Sequence, residues 1–479
     1  MTSSFLFYDL ETFGACPRRS RIAQFAAIRT DANLQQIDED ICFYVKPADD
    51  LLPSPVASVI TGISPQHACD HGVNEAEAFA RIHEQMMRPG TCTAGYNSLR
   101  FDDEFVRHGL FRNFYDPYER EWRGGNCRWD LLDVMRLAHA LRPGGIEWVH
   151  REDGSPSFTL EGLAHANGVR IGDAHEALSD VRALIGLSQR LRAAQPRLWD
   201  YCLRLRDKRF AGSLLDVAAM KPVLHVSQRF PASRLCAAPV APLAMHPRIA
   251  NRVIVFDLEQ DPEPLLTLEP DAILDRLYVR QDELPEGAGR IALKEIHLNR
   301  CPALVAWDHL REPDLARLRI DPARVERHAR RLREHAADIA EKVRCVYAAM
   351  REREPSDCDA SLYDGFLPDA DRARFPEVRG TPPRHLAGAD FGFTDPRLPE
   401  LLFRYRARNW RDSLGDGERE RWDGYRRERL ADATRSEYTF DAFFEEIRGL
   451  RQARNDDARA CTVLDDVEAW GRDLQAAVA

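Results

Sequence analysis

The chain has 479 residues, a formal net charge of −10, and 44% apolar and 30% charged side chains. Its length calls for two to four domains, and its composition excludes a disordered or fibrous protein. No apolar run approaches the roughly 18 residues that span a bilayer, and the N-terminal Met-Thr-Ser-Ser lacks the basic and apolar regions of a secretion signal. A cytoplasmic protein with no membrane partner is expected. The eleven cysteines are scattered from Cys16 to Cys461 without a C-x-x-C, as reduced packing residues would be, and not as a zinc ribbon or disulfide framework. The negative total does not exclude nucleic acid, because binding needs only a local positive channel.

In chain order, Phe5-Leu6-Phe7-Tyr8 reads as a strand buried on both sides, and it runs directly into Asp9-Leu10-Glu11. Residues i and i+2 of a strand share a face, so Asp9 and Glu11 aim at one small volume. At an effective dielectric of about 20, two carboxylates about 4 Å apart repel by about 4 kcal/mol, which calls for a cation between them. Oxygen-only ligands favour Mg²⁺ or Mn²⁺ over Zn²⁺. Strands at 22–28 and 41–45 follow, giving an antiparallel meander, then a helix over 76–87 stopped by Pro89-Gly90. A short inner strand at 92–97 leads to Asp102, whose bland reading is a helix N-cap. Helices are predicted from Trp129 to Leu141, from about Ser157 to Asn167-Gly168, and from about Ala177 to Leu191. His175 lies at the entrance of the last helix and Asp180 about one and a half turns along. The two would point roughly 140° apart on a straight helix, so His175 must sit on the preceding loop if both serve one site.

Gln195-Pro196 is read as the end of this helix and the start of a connecting segment. From about Met220 the signal changes to short β-rich runs at 223–226, 253–256 and 291–293, punctuated by Pro and Gly, which favours a small barrel. Asp321-Pro322 opens a helix by cap and first-turn proline. Seven arginines and two acids lie between Arg317 and Arg333, a solvated face, a wall of a nucleic-acid channel or a protein-binding patch. From about Glu354 the chain is helical again. There is no internal repeat, no P-loop, and no G-x-G-x-x-G in a strand-to-helix context.

Asp9-x-Glu11, Asn97-x-x-x-Phe101-Asp102 and His175-x4-Asp180 occur in one order within one domain-sized stretch. This resembles the DEDDh exonuclease superfamily, with its ribonuclease-H-like fold. The flanking segments 112–118, 128–136 and 140–143, with 220–222, 362–366 and 405–409, extend the resemblance nearly end to end, to the bacterial exodeoxyribonuclease I family. The expected architecture is α/β: a ribonuclease-H-like exonuclease domain (1–194), an SH3-like β-barrel domain with connecting helices (195–350) and a C-terminal helical domain (351–479).

The resemblance implies 3′-to-5′ hydrolysis of single-stranded DNA to 5′-mononucleotides, in repair and recombination. Two Mg²⁺ ions, replaceable by Mn²⁺, would be held by Asp9 (bridging), Glu11, Asp180 and Asp102, the last partly through water. Asp103 competes with Asp102, but the Asn-x3-Phe-Asp spacing favours Asp102 and leaves Asp103 as a hydrogen-bonding neighbour. His175, with a reference pKa near 6.5, suits the general base. Glu11 would also touch the terminal 3′ hydroxyl in such a site. Arg107, Tyr118, Trp122 and Arg136 match strand-contacting positions. Thr159 stands where a family member carries Arg, which weakens or moves one phosphate contact. The barrel and helical domains are expected to enclose the strand, which would make the enzyme processive. Arg142, Tyr201 and Lys221 are the expected docking residues for the acidic, hydrophobic C-terminal tail of single-strand-binding protein, and the chain is expected to act as a monomer. A 3′ exoribonuclease or oligonucleotide-trimming enzyme on the same fold, or a noncatalytic nucleic-acid clamp, are the competing readings.

Overall fold

Nine residues, Ser4–Thr12, form the first strand, β1, and all but Asp9 are buried. A run without polar alternation belongs to a strand covered on both faces. It pairs antiparallel with β2 (Ile22–Thr30), which pairs antiparallel with β3 (Ile41–Tyr44), so the expected meander is present. After three helices, Pro55–Thr61, Pro65–His71 and Glu75–Met87, the chain returns as β4 (Thr91–Gly95), parallel to β1 on its other side. The order β3-β2-β1-β4 puts β1 in the interior of the sheet. The computed structural model describes residues 4–170, 172, 176–277, 279–280, 283–284, 289–349 and 356–479.

The even-numbered side chains of β1, Leu6, Tyr8 and Leu10, pack in a core with Phe25, Phe79, Ile82, Phe105 and Leu110. Each such large side chain, once buried, contributes about 1.5–3 kcal/mol. The helix Glu75–Met87 approaches the helix Asp102–Arg112 closely because Gly109 has no Cβ; an added one would lie 1.8 Å from the Phe79 ring. The odd-numbered residues Asp9 and Glu11 are left for the other face.

The described chain divides into two compact units. The first comprises residues 1–127, 170–185 and 353–479, so the C-terminal helices share a unit with the N-terminal sheet. Phe111 and Phe114 pack with Phe375, Leu398, Leu401 and Tyr405, and Leu52 packs with Leu430, Phe443 and Leu464. A buried ion network adds to this: Asp50 accepts from Arg408 at 2.8 Å and from Arg429 at 2.6 Å, and Asp359 accepts from Arg404 at 2.8 Å and Arg408 at 2.6 Å.

The second unit comprises residues 128–169 and 186–352. The chain passes into it along β5 (Cys127–Asp130), whose last residue caps the helix Leu131–Leu141 through a bond from Leu132 N to Asp130 Oδ1. A small hairpin follows, β6 (Val149–His150) with β7 (Pro156–Ser157). The connecting segment that begins at Gln195-Pro196 is a helix, Pro196–Arg204, because proline fits the first helical position.

The five strands β8 (Val223–Val226), β9 (Ala237–Met245), β10 (Arg252–Asp257), β11 (Leu293–His297) and β12 (Ala303–Ala306) form one antiparallel sheet, ordered β11-β10-β9-β8-β12. Its centre, β9, escaped the sequence reading because Pro239 and Pro242 interrupt it. The sheet accommodates Pro242 at a register shift opposite Ile254 and Val255. The run at 291–293 also shifts, since Ile291 and Ala292 precede β11. Asp321 caps the helix Pro322–Glu334 as predicted, accepting from Ala323 N at 2.9 Å.

Candidate active site

Three separate pieces of backbone converge on the odd-numbered face of β1. Asp9 and Glu11 come from the strand itself, the last pair in the parallel β1–β4 register being Phe7 with Ala94. The two strands run in one direction, so the chain leaving β4 emerges near Asp9. Asn97 takes a left-handed conformation (φ 62°) and turns the chain into the helix Asp102–Arg112. Asp102 is the first residue of that helix rather than its cap, a position held by Phe101. Asp180 lies in the first turn of the helix Ala177–Ala194.

Carboxylate oxygens of Asp9, Glu11 and Asp180 all lie within 4.8 Å of one another. Glu11 is only 8% exposed and Asp102 is buried. Burial, and then the charges of Asp102, Glu11 and Asp180, push the Asp9 carboxyl well above its usual range. Glu11 is pushed up to about 8 by burial, Asp180 and Asp102. Arg170 offsets part of this charge by pairing with Asp180.

A second acid group, Asp357, Cys358 and Asp359, makes an instructive contrast. Burial alone would raise Asp359, but the guanidiniums of Arg408 and Arg404 outweigh it and hold the carboxyl well below its usual range. That group is already neutralised by arginine. In the cluster on β1 the Asp9 and Glu11 carboxyls stay pushed up, and its all-oxygen donor set fits a hard divalent cation.

Residues 6–187 match the family described as Exonuclease, residues 206–349 the Exonuclease I SH3-like domain, and residues 356–474 the Exonuclease I C-terminal domain. The chain is 47% identical to exodeoxyribonuclease I of Escherichia coli (strain K12) over 427 residues, 89% of this chain and 90% of that protein. It belongs to the exodeoxyribonuclease I family. The architecture is therefore an exonuclease domain, an SH3-like domain and the family's C-terminal domain, in that order, and the chain is an exonuclease, a hydrolase of a family that depends on divalent metal. Among solved structures, the zinc-bound complex of E. coli exonuclease I with single-stranded DNA covers 99% of this chain and 100% of its own, at 43% identity and a TM-score of 0.93. A crystal structure of single-strand-binding protein and exonuclease I with an inhibitor covers the same shares at 43% identity and a TM-score of 0.90.

Other residues singled out from the sequence fall in different settings. His175 lies outside the described residues. In the first unit, Trp122 is 66% exposed. Arg107 is buried, with its guanidinium 5.3 Å from the Tyr118 ring centre and paired to Glu121 at 2.7 and 3.0 Å and to Glu104 at 3.1 Å. In the second unit, Arg136 pairs with Asp133 at 2.7 Å, and Thr159 is an exposed helix N-cap whose side chain makes no cap bond. Arg142 pairs with Asp314 at 2.6 Å, Tyr201 Oη donates to Leu304 O at 2.8 Å, and Lys221 pairs with Asp308.

Tyr363 and Phe366 are two further rings of the first unit. Tyr363 Oη donates to Glu104 and accepts from Arg107 at 3.1 Å, and Phe366 is 92% exposed. Phe366 follows a glycine in the sequence.

Proposed function

We propose that this chain degrades single-stranded DNA from the 3′ end to 5′-mononucleotides, using two Mg²⁺ ions. The observation that carries the reading is the convergence of Asp9, Glu11 and Asp180, with Asp102 near enough that its charge helps push the Asp9 and Glu11 carboxyls up. The E. coli relative seen bound to single-stranded DNA supplies the substrate class.

Asp9, Glu11, Asp102 and Asp180 would hold the ions. Bound there, the ions supply charge neutralisation at the phosphoryl group and a more acidic attacking water. His175 takes that water's proton, a transfer typically worth about 10²–10⁴-fold. Glu11 contacts the terminal 3′ hydroxyl. Arg107, Tyr118, Trp122, Arg136 and Thr159 contact the strand, with Arg107 chiefly shaping the Tyr118 platform, since its charge is met by Glu121 and Glu104. Tyr363 and Phe366 add ring faces in the first unit.

Arg142, Tyr201 and Lys221 receive the C-terminal tail of single-strand-binding protein, the partner seen with the solved relative. The chain works in the cytoplasm, as a monomer, in DNA repair; its eleven cysteines are free thiols, as a reducing compartment keeps them.

A time course on 3′- and 5′-labelled single-stranded DNA with Mg²⁺ tests the reading. Mononucleotides released from the 3′ label at once, with the 5′-labelled strand shortening in steps, are expected. Preference for the equivalent RNA would favour a ribonuclease, and binding without turnover would favour a clamp.

A further inference from the structure

Tyr8 lies on the face of β1 opposite Asp9 and Glu11, packed with Phe25, Phe79 and Phe105. Its hydroxyl nevertheless has a polar partner there, donating to Asp103 Oδ1 at 2.6 Å. Asp103 directly follows Asp102 and is 1% exposed. The same oxygen accepts from Arg120 Nη2 at 2.6 Å, and Arg120 is itself fully buried. Arg120 Nη1 also reaches Thr93 Oγ1, on β4, at 3.4 Å. The next residue, Glu121, holds Arg107, which lies one turn beyond Asp103 on the same helix. The short turn Glu119–Glu121 thus grips the helix Asp102–Arg112 at two successive turns, while Tyr8 ties the helix to β1.

Burying a carboxylate, a guanidinium and a phenol costs more than filling the same volume with hydrocarbon, so the arrangement contributes geometry more than stability. Each tie is adjacent in sequence to a carboxylate of the acid cluster: Tyr8 precedes Asp9, and Asp103 follows Asp102. Arg120 also cancels the Asp103 charge, which would otherwise add to the crowd of anions.

We infer that Tyr8, Asp103 and Arg120 are positioning residues for the acid cluster, setting the separation of Asp9 and Glu11 from Asp102 and with it the affinity for divalent ions. The inference rests on the metal-site reading proposed above. Outer hydrogen-bond partners at metal sites typically alter metal affinity or activity by about 10–100-fold.

Tyr8→Phe is the decisive variant, because it removes one hydroxyl and preserves core volume. Mn²⁺ titrated calorimetrically into the full-length protein, without DNA, should show a dissociation constant raised about tenfold. In turnover, kcat at fixed Mn²⁺ should fall and partly recover at higher Mn²⁺, with KM for single-stranded DNA unchanged. Asp103→Asn should shift Mn²⁺ binding in the same direction; if it does not fold, Tyr8→Phe alone decides. A purely structural role would lower the melting temperature in EDTA and leave Mn²⁺ binding of the folded variant at the wild-type value. That result overturns the positioning assignment. Failure of the wild-type chain itself to bind Mn²⁺ overturns the metal-site reading, and this inference with it.

Discussion

Glu11→Gln separates the stability of the fold from the demands of the site. In chelator, the native Glu11 carboxyl holds its proton up to about pH 8, against an ordinary value of 4.5. Below pH 4.5 both folded and unfolded chains are protonated there and the residue contributes nothing to the difference. Above it the unfolded chain releases the proton while the folded chain keeps it, so wild-type stability falls by about 1.4 kcal/mol per pH unit until about pH 8. At pH 7 the accumulated cost is about 3 kcal/mol, and a neutral glutamine removes it. For a cooperative unit of this size, each kcal/mol moves the midpoint by about 2 °C, giving a rise of about 6 °C. Thermal and urea unfolding of both proteins in EDTA, from pH 4.5 to 8, measure the difference directly. The gain should be near zero at pH 4.5, grow to pH 8, and shrink or reverse with saturating Mg²⁺, which stabilises the native wild type by binding. A variant no more stable than wild type in EDTA at pH 7, or a gain independent of pH, would refute the claim that Glu11 is held at a cost for a cation.

His175→Ala should lower kcat by about 10²–10⁴-fold while the affinity for single-stranded DNA, measured by anisotropy in Ca²⁺, stays close to wild type. Phe366→Ala should weaken that affinity by about 1–3 kcal/mol without altering the melting temperature, because a ring this exposed supports no core. Asp50→Asn should destabilise the chain by about 3–5 kcal/mol in urea, since it leaves Arg408 and Arg429 buried without their shared carboxylate. Burial would raise Asp50, but Arg408, Arg429 and Arg21 outweigh it and hold the carboxyl well below its usual range. The wild-type advantage should therefore be complete above about pH 4 and disappear as the pH falls further, a trend that acid titration of both proteins checks.

The sequence by itself determined β1 and the direction of its two carboxylates, because a strand's period of two is local and an unbroken apolar run permits few other readings. It also determined the motif order, and through it the family, since residue types at fixed spacings need no coordinates to be compared. Tertiary structure decided which acids are left unbalanced. Asp357 and Asp359 look as acidic in the sequence as Asp9 and Glu11, yet arginines about 50 residues along the chain neutralise the first pair, whereas the second keeps carboxyls pushed above their usual range. It decided the partners of Asp103 too, since Tyr8 and Arg120 lie 95 and 17 residues away. The central strand β9, broken by two prolines, became visible only through the neighbours that complete its hydrogen bonds. Local periodicity is written in adjacent residues, whereas charge balance and strand pairing are sums over groups that only the folded chain brings together.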